Sequence, residues 1–131
     1  MLTRSTPLRR TPFKRKPAPK KSKPRSAEHR ADDLFSLRIR ARDGHRCRRC
    51  GSGWRLDAAH VIRRGFHAVR WVEENAVALC RGCHDYMGAH EFEWLAWCIA
   101  EGIPYDNLRW RALHDEPERA EDALARLRAA A

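Results

Sequence analysis

An α+β fold is what this 131-residue chain predicts, on three observations. Two Cys-x-x-Cys pairs, Cys47-Arg-Arg-Cys50 and Cys80-Arg-Gly-Cys83, bracket a stretch whose apolar residues alternate as in a strand. On either side of that bracket, apolar residues recur at helical spacing. Residues 1–30 follow neither pattern. The expected architecture is a small zinc-stabilised domain over residues 31–102, with flanking helices and a disordered basic N-terminal arm over residues 1–30. Residues 103–131 are expected to be a linker and a helix packing on that domain or on a partner.

The arm holds the charge. The chain has 27 Lys+Arg against 17 Asp+Glu, a net +10, and residues 1–30 alone carry eleven basic residues and one acid. All five lysines and five of the seven prolines lie there, with few large apolar residues, so burial cannot offset the entropy of ordering it. Such a polycation attracts polyphosphate by counterion release. A solubilising tail or an Arg-rich transit peptide are the other readings of the same composition. No window offers roughly 18 consecutive apolar residues and no apolar stretch follows the basic start, so neither a membrane span nor a secretory signal is expected. An intracellular, cytoplasmic protein is the expectation.

From Ala31 acids appear and helical spacing begins. Asp32 or Asp33 is suited to cap a helix carrying Leu34, Leu37 and Ala41 on one stripe, and Asp43-Gly44 to stop it. A tight turn is expected between Gly51 and Gly53, then a strand near Arg55 to Ile62, in which His60 shares a face with Leu56 and Ile62 while Asp57 faces the other way. Arg63 to Phe66 reads as a loop, Val69 to Val72 as a second short extended piece, and Asn75 to Leu79 leads to the second cysteine pair. A helix from Arg81 breaks near Gly88. Another, roughly His90 to Glu101, carries Phe92, Trp94, Leu95, Trp97 and Ile99 and stops at Gly102, its tryptophans read as core rather than as a base-stacking platform. A last helix opens with Pro117 in its first turn and repeats Ala120, Leu124, Leu127 and Ala131.

Four thiolates suffice for one structural Zn2+, since a Cys-x-x-Cys turn bites one ion and two turns close a tetrahedral shell. Cys47, Cys50, Cys80 and Cys83 are those ligands, and Arg46, Arg48, Arg49 and Arg81 beside them favour thiolate. Disulfides fit poorly with five cysteines, a redox pair needs no matching partner, and an iron-sulfur cluster shares the ligand type. Cys98 reads as a small buried hydrophobe.

The stretch from Arg42 to His84 resembles the HNH, or ββα-metal, endonucleases. It has Arg-Asp-Gly before the first cysteine pair, a strand histidine (His60), Asn75, and "LCRGCH" ending in His84 nine residues after Asn75. Within that family it is most similar to phage recombination endonucleases of the NinG type, through "DAAH", Arg70 to Asn75 and Glu93-Trp94. The resemblance implies a ββα-metal fold and metal-dependent hydrolysis of DNA in a bacterial or phage-infected cell. His60 would be the general base, oriented by Asn75 or by a backbone carbonyl of the loop it supports, and His84 would ligate a catalytic divalent ion, Mg2+ or Mn2+. Many family members carry Asp or His where this chain has Ala59. Asp57, on the same strand face as Ala59, is the substitute second ligand, with His90 or Asp85 as others.

Nine arginines against two acids between Arg38 and Arg64 give the expected DNA-facing side, with Arg46, Arg48, Arg49, Arg63 and Arg64 as its contacts. The partner expected is duplex or branched DNA. Cutting branched DNA ordinarily takes two active sites, which would call for a homodimer. The competing readings are a zinc-scaffolded nucleic-acid adaptor without catalysis, and an interaction protein whose C-terminal helix docks a partner.

Overall fold

Alanines at the centre of two paired strands set how closely helices approach this sheet. A computed structural model describes residues 16–18 and 22–130, and within them β1 (Leu56–His60) pairs antiparallel with β2 (Ala76–Cys80). The register sets Ala58 opposite Ala78, Ala59 opposite Val77 and His60 opposite Ala76. Side chains alternate between the two faces, and both faces are covered. Ala76 and Ala78 join Ala31, Phe35 and Ile39 of α1 (Ala27–Arg42), together with Trp71 and with Ala123, Leu124 and Leu127 of α5 (Ala120–Ala129). Val77 and Leu79 turn the other way. There they meet Ala59, Cys47 and Cys83, with Trp94 and Trp97 closing over them.

The fold is therefore mixed α+β, with five helices among the described residues. Helix α2 (Arg81–Ala89) starts directly where β2 ends, capped by the Cys80 sulfur, and α3 (Glu91–Ala100) follows after His90. Helix α4 (Tyr105–His114) contributes Leu108 to a third buried group with Ile62 and Val69. None of these helices is long and apolar enough to cross a membrane.

Several elements differ from their sequence expectations, for identifiable reasons. Helix α1 begins at Ala27 and is capped by Ser26, whose hydroxyl accepts from the His29 amide, so Asp32 and Asp33 sit inside it. Its buried stripe is Ala31, Phe35 and Ile39, and Leu37 is 54% exposed. Two stripes of similar apolarity run along this helix, and the one bearing the aromatic ring won the core. The expected arm boundary at residue 30 thus falls within a helix, while residues 1–15 and 19–21 of that arm lie outside the described residues.

Val69 to Val72 is a succession of turns rather than an extended piece, closed by Val69 N–H to Phe66 O and Val72 N–H to Val69 O. In the third helix Phe92 is 90% exposed, and only Cys98 is fully buried. Helix α4 occupies what reads as linker. Helix α5 starts three residues after Pro117 and packs on α1, and Ala131 lies outside the described residues.

Long-range ties from α1 fix the approach to β2. Arg38 pairs with Glu73, and Arg42 donates to the carbonyl oxygens of Glu73 and Ala76 at 2.5 and 2.7 Å. Asp43 closes this end, accepting from the Ala78 amide at 2.8 Å and from Arg42. Burial works against its charge, but the Arg42 and Ala78 hydrogen bonds prevail and hold its carboxyl below the usual 3.8. Asp43→Ala leaves the Ala78 amide without its partner, and urea unfolding is expected to show a loss of about 1–3 kcal/mol. Because the ionised form is favoured on folding, the difference is complete above pH 3.8 and disappears as pH falls through the lower folded value.

Candidate functional site

The two cysteine pairs meet at one end of the sheet. The first sits on a turn after α1, where the Gly51 amide bonds the Cys47 carbonyl and Gly51 takes a φ of +78°, a left-handed conformation suited to glycine. The second straddles the junction of β2 and α2. All four Sγ atoms lie within 4.8 Å of one another, with Cys50 and Cys80 3.6 Å apart. Tetrahedral Zn–S bonds of ~2.3 Å put sulfurs ~3.8 Å apart, so the cluster is sized for one structural metal ion such as zinc. Burial raises the Cys47 thiol, but backbone amides of Cys80, Cys50 and Arg49 outweigh it and bring its pKa to about 7. Burial and the neighbouring sulfurs push Cys83 up to about 12, with Arg49 opposing. Cys98 is buried apart from this group.

A cleft of about 510 Å3 runs along the free edge of β1 between α1 and α2. It is lined by Asp57 and His60 from the strand, Arg81 and His84 from α2, and Arg63 and Arg64 from the following loop, with Asp32 and Phe35 as part of the α1 wall. Asp57 and His60 lie on opposite strand faces, yet both reach the cleft because it wraps around an edge.

His60 is fixed on one side. Its Nε2 lies 2.8 Å from the Arg70 carbonyl oxygen, which only accepts, so Nε2 carries the proton and Nδ1 is left as the acceptor. Burial depresses its pKa below 6.5, and the charge of Arg64 adds to that, while the Arg70 carbonyl opposes it. His60 is therefore neutral at neutral pH. Phe35 packs against the ring at 5.4 Å.

Asn75 makes no hydrogen bond to His60. It is fully buried, its Oδ1 accepting from the Ile62 amide at 2.7 Å and its Nδ2 donating to the carbonyls of Ile62 and Val69 at 3.1 and 2.9 Å. It staples the loop that carries the Arg70 carbonyl. Of the two orienters the sequence offered for His60, the backbone carbonyl makes the contact and Asn75 supports it.

Asp57 and His84 come together as a pair, Oδ2 to Nδ1 at 3.2 Å, and Arg81 reaches the same oxygen at 3.2 Å. Carboxylate oxygen and imidazole nitrogen are ligand types that divalent cations take, and here the two atoms face each other and Arg81. His90 instead bonds the Tyr86 carbonyl, and Asp85 pairs with Arg81.

The arginines divide. Arg63 and Arg64 line the cleft, whereas Arg46 bonds the Gly51 carbonyl, Arg48 pairs with Glu101 at 3.0 Å, and Arg49 lies on Cys83, Glu93 and the Tyr86 ring. The structure thus does not bring Arg46, Arg48 and Arg49 to His60. It brings Arg81, named from sequence only as a neighbour of the thiolates. Asp32, in the α1 wall of the cleft, and Arg70, bridged to it, were missed as site residues, because their pairing spans 38 positions and no local spacing signals it.

No family model, no curated protein and no solved structure matches the chain.

Elemental analysis of the purified chain is expected to find about one zinc per molecule, because a closed tetrahedral shell of four thiolates takes a single ion. Cys80→Ser should lose that metal and unfold at lower temperature, since binding and folding are coupled at such sites.

Proposed function

We propose that this chain is a zinc-stabilised HNH-type endonuclease that hydrolyses DNA phosphodiester bonds. The observation that carries the reading is a neutral histidine, His60, bonded through Nε2 so that Nδ1 remains as an acceptor, lining a cleft that also holds the Asp57–His84 pair and three arginines. The four-cysteine cluster fits this reading as the scaffold that pins the end of β2 and the start of α2, with Zn2+ as its metal. The order of His60, Asn75 and His84 around the second cysteine pair, which resembles that family, adds to it.

The chain's own residues divide the chemistry. Arg63, Arg64 and Arg81 draw a phosphate into the cleft and offset the charge that builds in the transition state. His60 Nδ1 takes a proton from the attacking water as its oxygen bonds phosphorus and the bond to the 3′ oxygen breaks. Asp57 and His84 are the residues that would hold Mg2+ or Mn2+, which when bound supplies Lewis-acid charge to the phosphate and the leaving oxygen. Duplex or branched DNA is the proposed substrate, and paired cuts in a branch would call for a homodimer.

A second reading, a zinc-scaffolded adaptor that binds nucleic acid without cutting it, is favoured by Ala59 and by Arg81, whose ion pair already satisfies Asp57. One experiment separates them. Purified chain is incubated with duplex, single-stranded and branched DNA and with Mg2+ or Mn2+. The nuclease reading expects cleavage that falls by ~10²–10⁴ in His60→Ala while binding is kept. Inertness on every substrate with both ions overturns it.

The neutral form of His60 is the active one, so cleavage is expected to rise with pH through a value below 6.5 and to be level above it. Removing residues 1–21 should weaken DNA binding and flatten its salt dependence while leaving cleavage at saturating DNA unchanged. That truncation leaves Ser26 and Glu28 in place, unlike one at residue 30.

A further inference from the structure

The His60 ring is only as well placed as the carbonyl it bonds, and that carbonyl belongs to a residue whose side chain is itself held by several partners. Arg70 is 7% exposed. Its Nε and Nη2 donate to the two oxygens of Asp32 at 3.0 and 2.7 Å, a bidentate pairing. Glu28, one turn earlier on α1, lies 2.9 Å from the same Nη2. On its other side Nη1 reaches the Arg64 carbonyl and His67 Nε2, each at 3.4 Å. Asp32 also accepts from the indole N–H of the neighbouring Trp71 at 2.9 Å, so one carboxylate grips two consecutive residues of the turn.

We infer that Asp32 is a positioning residue for His60, acting from α1 on the loop that Asn75 closes from the other side. Its carboxylate, bridging Arg70 and Trp71, locks the turn at residues 70–71 against α1 and so fixes the Arg70 carbonyl at 2.8 Å from His60 Nε2. That fixed acceptor keeps the proton on Nε2 and leaves Nδ1 free as the base. Asp32 makes no hydrogen bond to His60; its charge is felt at the ring, but its hold on the geometry runs through the backbone of Arg70. Burial disfavours its charge, yet the hydrogen bonds from Arg70 and Trp71 hold its carboxyl below the usual range, so the clamp is charged throughout the neutral range. The inference rests on the nuclease reading for its catalytic meaning, but not for its geometry.

The test separates the two. Histidine-ring nitrogen NMR of the full chain, at a pH where the imidazoles are neutral, reads the His60 tautomer without any DNA, and His60→Ala assigns the signal. The wild type is expected to hold the proton on Nε2. Asp32→Asn should give a mixture of tautomers in a chain that still melts cooperatively, and should lower kcat ~10-fold with KM unchanged, in the range typical of removing an outer hydrogen-bond partner. Asp32→Glu, which keeps the carboxylate, should return the Nε2 tautomer and much of kcat. Should Asp32→Asn not fold, Arg70→Lys gives the same readout, because an ammonium cannot bridge both oxygens. A His60 tautomer unchanged in the folded variant overturns the inference whatever cleavage does. A tautomer shift in a chain that cuts no DNA upholds the clamp and overturns the nuclease reading instead.

Discussion

A single buried amide holds the working part of this molecule in shape. Asn75 ends the 3-10 turn before β2, and with no exposed surface it satisfies both backbone groups of Ile62 and the carbonyl of Val69. Its own carbonyl accepts from the Val61 amide, so backbone and side chain together extend the pairing past the end of β1. Each such bond contributes only ~1 kcal/mol net, but leaving those buried groups unpaired would cost more, and that asymmetry makes the arrangement specific. The loop it closes delivers the Arg70 carbonyl to His60 and sets Arg63 and Arg64 at the mouth of the cleft.

The four-cysteine cluster does the corresponding job at the other end. It brings the turn after α1 to the junction of β2 and α2, and a metal ion held there would fix where α2 leaves the sheet and so where His84 and Arg81 stand relative to Asp57. A two-stranded sheet has little pairing energy of its own. Covering it with helices on both faces, across strands whose centres are alanine, supplies the burial that the strands lack. Helix α5 completes one of those faces against α1, so the C-terminal segment belongs to the core.

Charge in this protein is distributed by function of place rather than by count. Several arginines of the rich segment from Arg38 to Arg64 are engaged inside the fold: Arg38 and Arg42 hold the turn before β2, Arg48 reaches Glu101, and Arg49 covers Cys83. Arg63, Arg64 and Arg81 are left at the cleft, where Asp57 and Asp32 face them. Arg70 is buried and fully committed to its partners, which makes it part of the scaffold rather than of any surface for phosphate.

The clustering of the four cysteines, the strand bearing Asp57 and His60, and the helices beginning at Arg81 and near His90 were legible in the sequence. They rest on local rules: a two-residue gap between cysteines, alternation along a strand, and a helix stop at glycine. Helix α4 was not legible, since only Leu108 in it is buried, and neither was the start of α1, where two apolar stripes competed. Asp32 read as a cap because that is what an acid near a helix start ordinarily does. The tertiary structure alone decided that it grips Arg70 and Trp71, that Arg49 faces the sulfurs, and that His60 carries its proton on Nε2. Those outcomes depend on which distant groups meet in a low-dielectric interior where each buried donor must find its acceptor, and no spacing along the chain encodes that meeting.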